Sequence, residues 1–214
     1  MTVTEAMAAR RSIRAYKPDT VEKEVLMEIL GKAAKTPSWA NTQPWEVFTA
    51  SGDALERIRS AYVENHKNDV KSATDIPRPT EWPDAAKDRT KQLRPDMVRD
   101  CGEAADQFFA VNQRMFDAPA VIFLCLDKAY SPWSLYDLGA YAQSVMLLAQ
   151  EQGLSTIAAI TSVLFPDVIR RELNIPDNLN VAIGIPIGYA DEDNALNNFH
   201  SARSTLSETV HFCS

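Results

Sequence analysis

Apolar residues recur along this chain with two periods, and the change of period divides it into helices and strands. Val25, Leu26, Ile29, Leu30 and Ala33 return at three- and four-residue spacing, which predicts a helix. Asp19, with Glu22 three residues later, marks its start. Pro37 disfavours helical backbone at Thr36, so the helix should stop near Lys35. Residues 46–50 predict a strand, Gly52-Asp53 a turn, and residues 54–63 and 107–116 two further helices. Residues 118–126 form a nearly continuous apolar run of strand length, the signature of a strand buried on both faces. Leu135, Leu138, Ala142, Val145, Met146 and Ala149 mark a long helix that Gly153 is placed to cap. Its small residues, Gly139, Ala140, Ala142 and Ser144, permit close packing such as a subunit interface needs. A short strand over 155–160, a helix opened by Pro166-Asp167 and ended by Pro176, and a strand over 180–189 complete the pattern. Residues 194–214 have no strong period and are candidates for crossing to a partner chain.

Mixed helices and strands in this order predict an α+β fold, an α/β sandwich, in a single domain over residues 1–214. Residues 67–99 stand apart. They are charged, contain Pro77, Pro79, Pro83 and Pro95, and have Trp82 as the main apolar anchor. A long loop or a pair of short helices fits this stretch, serving either as a lid or as a solvated linker.

Composition narrows the function. With 214 residues and 45% apolar side chains the chain can bury a full core. No apolar run approaches the ~20 residues that span a bilayer. Residues 1–9 carry Glu5 and lack the basic start and apolar stretch of a secretory signal, so a cytoplasmic location is expected. Cys101, Cys125 and Cys213 are odd in number and far apart, which argues against a disulfide framework. They share no metal-ligand spacing with the 3 histidines, so no metal site is expected. A formal charge of −7 disfavours nucleic acid and anionic membrane as partners. A nicotinamide-binding Rossmann site is disfavoured too, because no G-x-G-x-x-G occurs and the chain has only 7 glycines.

Two segments carry the chemistry. In an acidic chain, Arg10-Arg11-Ser12-Ile13-Arg14 needs a local reason. In extended backbone Arg10, Ser12 and Arg14 point one way, and guanidinium forks beside a hydroxyl match phosphate oxygens; a solvated basic helix end is the competing account. The second segment runs from Pro37 to Trp45. Ser38, Asn41 and Gln43 offer donors and acceptors to the edge of a heterocycle, while Trp39 and Trp45 could wall a flat ligand. Pro37 and Pro44 restrict the loop and lower the ordering cost of binding; an ordinary turn with buried tryptophans is the alternative.

These segments, in this order, resemble the flavin-dependent nitroreductase family. Arg10-Arg11-Ser12-Ile13-Arg14-Ala15-Tyr16 resembles its opening motif, and Pro37-Ser38 through Asn41-Thr42-Gln43-Pro44-Trp45 its second. Ile187-Gly188-Tyr189-Ala190-Asp191, followed by Asn197 and Arg203, resembles its closing motif. The likeness spans nearly the whole chain, with residues 67–99 as the variable part. It implies a mixed sheet flanked by helices in an intertwined homodimer, with FMN at the subunit interface. Arg10, Arg11, Ser12 and Arg14 would then hold the phosphate and ribityl end and part of the ring edge, and Arg203 would add a phosphate contact. Ser38, Trp39 and Asn41 of the other subunit would line the ring, with Gln43 close by. The turn Ala159-Ile160-Thr161 would present backbone donors to it, and Asn112 and Arg114 roughly match polar residues near it in some relatives.

The function so implied is an FMN-dependent oxidoreductase, with NAD(P)H as co-substrate. Nitroaromatics, quinones or related acceptors would be reduced in a ping-pong order, because donor and acceptor share one pocket. No protein nucleophile or acid–base group is required, and none is assigned. A relative with other flavin chemistry, such as reductive dehalogenation, and a non-catalytic flavin-binding protein are the alternatives. Three departures from the family pattern bear on substrate choice: Trp39 replaces a small residue, Ala159 replaces a frequent glutamine, and Ala202 or Ser201 stands where a lysine precedes Arg203.

Overall fold

The computed structural model describes residues 1–213. Along the chain it forms α1 (Val3–Ala9), α2 (Lys23–Ala33), β1 (Trp45–Ser51), α3 (Gly52–Lys67), α4 (Asp84–Cys101), α5 (Phe108–Gln113) and β2 (Ala120–Asp127). These are followed by α6 (Trp133–Glu151), β3 (Ser155–Thr156), α7 (Pro166–Leu173), β4 (Leu179–Gly188) and α8 (Leu206–Thr209). The sheet order is β1-β2-β4-β3, and every named pair is antiparallel. Ser12 adds a parallel bridge to Thr156 at the β3 edge, so the arginine segment extends the sheet and gives it its mixed character.

Strand β2 feeds two cores. Ala120, Ile122, Leu124 and Leu126 face a cluster with Leu26 and Ile29 of α2 and Leu138, Tyr141 and Val145 of α6. Val121, Phe123 and Cys125 face another with Leu55, Ile58 and Tyr62 of α3 and Val168 and Ile169 of α7. Period-two alternation on a strand covered on both sides thus yields the expected α/β sandwich, with helices on both faces of the sheet.

Several boundaries differ from the sequence reading. Helix α1 went unpredicted, although Thr2 and Glu5 form a reciprocal capping box at its start. Helix α2 begins at Lys23 rather than near Asp19. Helix α6 ends as expected: Gly153 takes φ 74°, Leu154 N–H bonds Ala149 O, and Gly153 N–H bonds Gln150 O, a Schellman closure. Residues 67–99 are neither a loop throughout nor two short helices. After a loop they enter α4, which runs past 99 to Cys101 and contains Pro95. The loop is tied down at Asp75, whose carboxylate accepts Arg170 at 2.5 Å and the Val181 N–H at 2.7 Å.

The helix expected over 107–116 breaks at Arg114, because Met115, Phe116 and Asp117 all take left-handed backbone. Arg59 secures that turn, donating to Arg114 O at 3.1 Å and to Ala118 O. The strand expected over 155–160 shrinks to Ser155–Thr156, with one further bridge from Ala159 to Gly184. Asn174, in left-handed backbone, ends α7 two residues before Pro176.

A cationic cavity at the sheet edge

The arginine segment runs extended from the end of α1 across the sheet edge. Ile13 N–H donates to Thr156 O at 3.1 Å, and Ile13 packs into the core while Ser12 and Arg14 line the other side of the segment. A cavity of about 860 Å³ opens there, lined by Arg10, Arg11, Ser12 and Arg14, by Gln143 of α6, and by His200 and Arg203 of the tail. The expected convergence of Arg10, Ser12 and Arg14 is therefore present, and Arg11 and Arg203 join them. Among the described residues no carboxylate pairs with any of these four arginines.

Arg14 is the most buried of the set, 8% exposed. Its guanidinium lies 4.8 Å from the Phe199 ring centre and 5.8 Å from that of Phe108. One of its terminal nitrogens donates to Ser12 O at 2.8 Å, while its Nε has no partner. Burial holds the Arg14 pKa below its ordinary value, and burial followed by the charge of Arg203 does the same for Arg10. An orphaned donor on a buried cation, beside three further arginines without a carboxylate partner, calls for an anion.

Asn197 fixes this segment from below. It is buried, its Oδ1 accepts the N–H groups of Arg14 and Ala15, and its Nδ2 donates to the carbonyls of Ala15 and Asp191. Its own carbonyl accepts Arg11. Sequence reading noted Asn197 only within a motif; its role depends on a contact across the whole chain. His200, also unassigned by sequence, lies 3.4 Å from Arg11.

The loop residues do not join this cavity within one chain. Trp39 is 71% exposed, with its N–H held by Asp137 of α6 at 3.1 Å. Ser38 Oγ accepts the Gln43 N–H at 2.9 Å, and Gln43 Nε2 donates to Asn41 Oδ1 at 3.3 Å. Ala40, Asn41 and Gln43 are held at positive φ, so the loop is a built shape. The expected pair of tryptophan walls is corrected: Trp45, half-buried, stacks on Tyr141 at 4.7 Å against the core, whereas Trp39 is exposed.

The turn at Ala159-Ile160-Thr161 lies closer to the arginines. Ala159 packs with Phe116, Ile157 and Phe108, and Phe108 also faces Arg14. Ile160 and Thr161 open a 3-10 turn, so their N–H groups have no preceding carbonyl within it. Asn112 bonds the Thr161 hydroxyl. Arg114 instead pairs with Asp117 beside Glu56 and Arg59, outside the arginine cavity.

Comparisons with known proteins point the same way. The family model described as Nitroreductase family matches residues 7–189. Nitroreductase NfnB of Mycolicibacterium smegmatis is 30% identical over 210 residues, covering 95% of this chain and 89% of that protein. The chloronitrobenzene nitroreductase of Comamonas testosteroni is 30% identical over 218 residues, covering 98% and 96%. The crystal structure of the FMN-dependent nitroreductase NfnB from Mycobacterium smegmatis in complex with NADPH superposes with a TM-score of 0.90 at 28% identity, covering 99% of this chain and 98% of that one.

Proposed function

The chain belongs to the nitroreductase family, and from that premise we propose an FMN-dependent oxidoreductase that draws on NAD(P)H and reduces nitroaromatic, quinone or related acceptors. The carrying observation is the arginine cavity: four guanidiniums without a carboxylate, one with a buried unpartnered Nε, fit a phosphate and an electron-rich ring edge. Bound FMN would supply the redox step between NAD(P)H and the acceptor, in ping-pong order through one pocket.

The residues of this chain bind and orient. Arg10, Arg11, Ser12 and Arg203 hold the phosphate and ribityl end from the cavity they line. Arg14 would bring a buried positive charge to the ring edge and so would suit a cofactor that gains negative charge on reduction. Ala159, Ile160 and Thr161 offer their turn to the ring, and the N–H groups of Ile160 and Thr161 are its donors. Ser38, Trp39, Asn41 and Gln43 complete the ring pocket from a second subunit, which accounts for a shaped loop with an exposed tryptophan that its own chain leaves unused.

A homodimer follows from that division. Trp133 and Tyr136 of α6 are 75% and 79% exposed, an aromatic surface that subunit pairing would cover. No helix among the described residues is long and apolar enough to cross a membrane. All three cysteines are free, which suits the cytoplasm.

The test is the visible spectrum of the purified protein before and after anaerobic addition of NADPH, then NADH. Flavin bands that bleach are expected. Bands that persist with both coenzymes would overturn the reductase reading, and failure to take up FMN would overturn the site.

A further inference from the structure

One basic side chain of the arginine cavity is not an arginine. His200 follows buried Phe199 in the tail, is exposed, and lines the cavity with Arg10, Arg11, Ser12, Arg14 and Arg203. Its Nδ1 lies 2.7 Å from Asn198 O. A carbonyl oxygen has no proton to give, so Nδ1 carries one and donates it. The other ring nitrogen is thereby the atom that gains or loses a proton. That atom, Nε2, lies 3.4 Å from a terminal nitrogen of Arg11. A backbone carbonyl thus turns the titrating end of the imidazole toward the arginines.

Charged groups approach His200 from three parts of the chain. Arg10, Arg11 and Arg14 come from the segment after α1, and Arg203 from the tail itself. The carboxylate beside it is Asp100 of α4, whose Oδ2 accepts the His200 N–H at 3.3 Å. The other oxygen of Asp100 accepts Arg99 Nε at 2.8 Å, so that negative charge is already offset. With no anion present, an imidazolium here would add one more positive charge to four guanidiniums. A phosphate reverses the balance. Its negative charge favours the charged imidazole, and Nε2–H becomes a donor to a phosphate oxygen.

We propose that His200 is a proton-dependent ligand of the cofactor phosphate: it binds as the imidazolium, taking one proton from solvent as FMN enters. The inference rests on the FMN reading of the cavity given above. It makes the hold on FMN tighter in mildly acidic than in alkaline solution. The arginines cannot produce that dependence, because they stay charged throughout the range. Because His200 is exposed, its pair with phosphate gains an amount typical of open ion pairs, which corresponds to about a fivefold gain in affinity.

The experiment titrates the apoprotein with FMN, and with riboflavin, which lacks the phosphate, in the parent and in His200→Gln. It is run on either side of the ordinary imidazole range, at about pH 6 and about pH 8.5. Glutamine keeps a donor and carries no charge at either pH. The FMN Kd of His200→Gln should exceed the parent's about fivefold at the lower pH and approach it at the higher. Riboflavin should show no difference at either. The phosphate's own titration is common to both proteins and cancels in the ratio. A second readout needs no variant: among the imidazole proton resonances of the parent's 3 histidines, one should titrate at a higher pH with FMN than without. An FMN ratio that does not change with pH, a ratio that changes equally for riboflavin, or no histidine that moves with FMN would overturn the proposal while leaving the FMN reading intact. A parent protein that takes up neither flavin would overturn that reading, and the proposal with it.

Discussion

The side-chain oxygen of Asn197 accepts the backbone N–H of Arg14 at 2.7 Å, joining positions 183 residues apart. With its contacts to Ala15 and Asp191, this one amide uses both its donors and its acceptor oxygen. Asn197→Ala would strand buried donors, each costing about 1–3 kcal/mol. Thermal unfolding should shift down, and FMN titration should show weaker binding. Asn197→Asp keeps the acceptor and loses the donors, so it should fall between the two. Parent-like FMN affinity in a folded Asn197→Ala would remove its part in positioning the arginines.

Arg10→Ala and Arg14→Ala address the phosphate and ring-edge assignments separately. Each deletes a charge-assisted interaction worth about 1.5–3 kcal/mol, so the FMN dissociation constant should rise at least roughly tenfold. Arg14 also stacks against Phe199, so its variant should lose thermal stability as well. Fluorescence titration of the apoprotein decides; unchanged affinity would make the cluster a solvated face.

The exposed aromatic pair on α6 makes quaternary structure testable. Replacing Trp133 and Tyr136 together with arginine should yield a monomer in sedimentation velocity, and with it the loss of FMN. A monomer that retains full flavin occupancy would show that loop residues 38–43 do not complete a neighbour's site.

Gly184 on β4 supports the turn that carries Ala159, Ile160 and Thr161. A Cβ at Gly184 would lie 2.5 Å from Ser162 Cβ, inside any real contact, so the turn would have to move. Gly184→Ala should destabilise by about 1–3 kcal/mol. It should also alter the spectrum of bound flavin, whereas a comparable overpacking on the α3 face should change stability alone. A normal flavin spectrum in a destabilised Gly184→Ala would separate the turn from the cofactor.

Alkaline stability carries a definite sign. Burial pushes the Cys125 thiol up to about 12, with Arg170 opposing, and pushes Tyr141 up to about 12 as well. The unfolded chain releases these protons near their ordinary values of about 8.5 and 10. Between those values and about 12 the folded state binds more protons, so stability falls as pH rises. Below pH 8 the contribution is fully present. Urea unfolding from pH 8 to 11 should show this decline, with a shallower slope in Cys125→Ala; identical slopes would reject the attribution.

Much of the framework was legible because its signals are local. The apolar run at β2, the spacing in α6 and the glycine at 153 lie within reach of a short window. The Thr2–Glu5 capping box was equally local and was overlooked. What escaped was decided at a distance. Arg59 reaches from α3 to hold left-handed backbone at 115–117 against the helical pattern of 107–116. α4 continues through Pro95 where prolines argued for a loop. At the site, the arginines converged because alternation on an extended segment fixes direction. Trp45 turned against the core because Tyr141, 96 residues on, offers it a stacking face.

The arginine cavity gathers like charges with no acid to offset them. A protein built this way is incomplete when newly made, since repulsion among its own side chains works against the closed shape until a phosphate arrives. Ligand present at a hundredfold its dissociation constant would add about 2.7 kcal/mol to folding. The steady-state amount of the chain would then track the supply of FMN, falling through faster turnover of the empty form with no change in its synthesis.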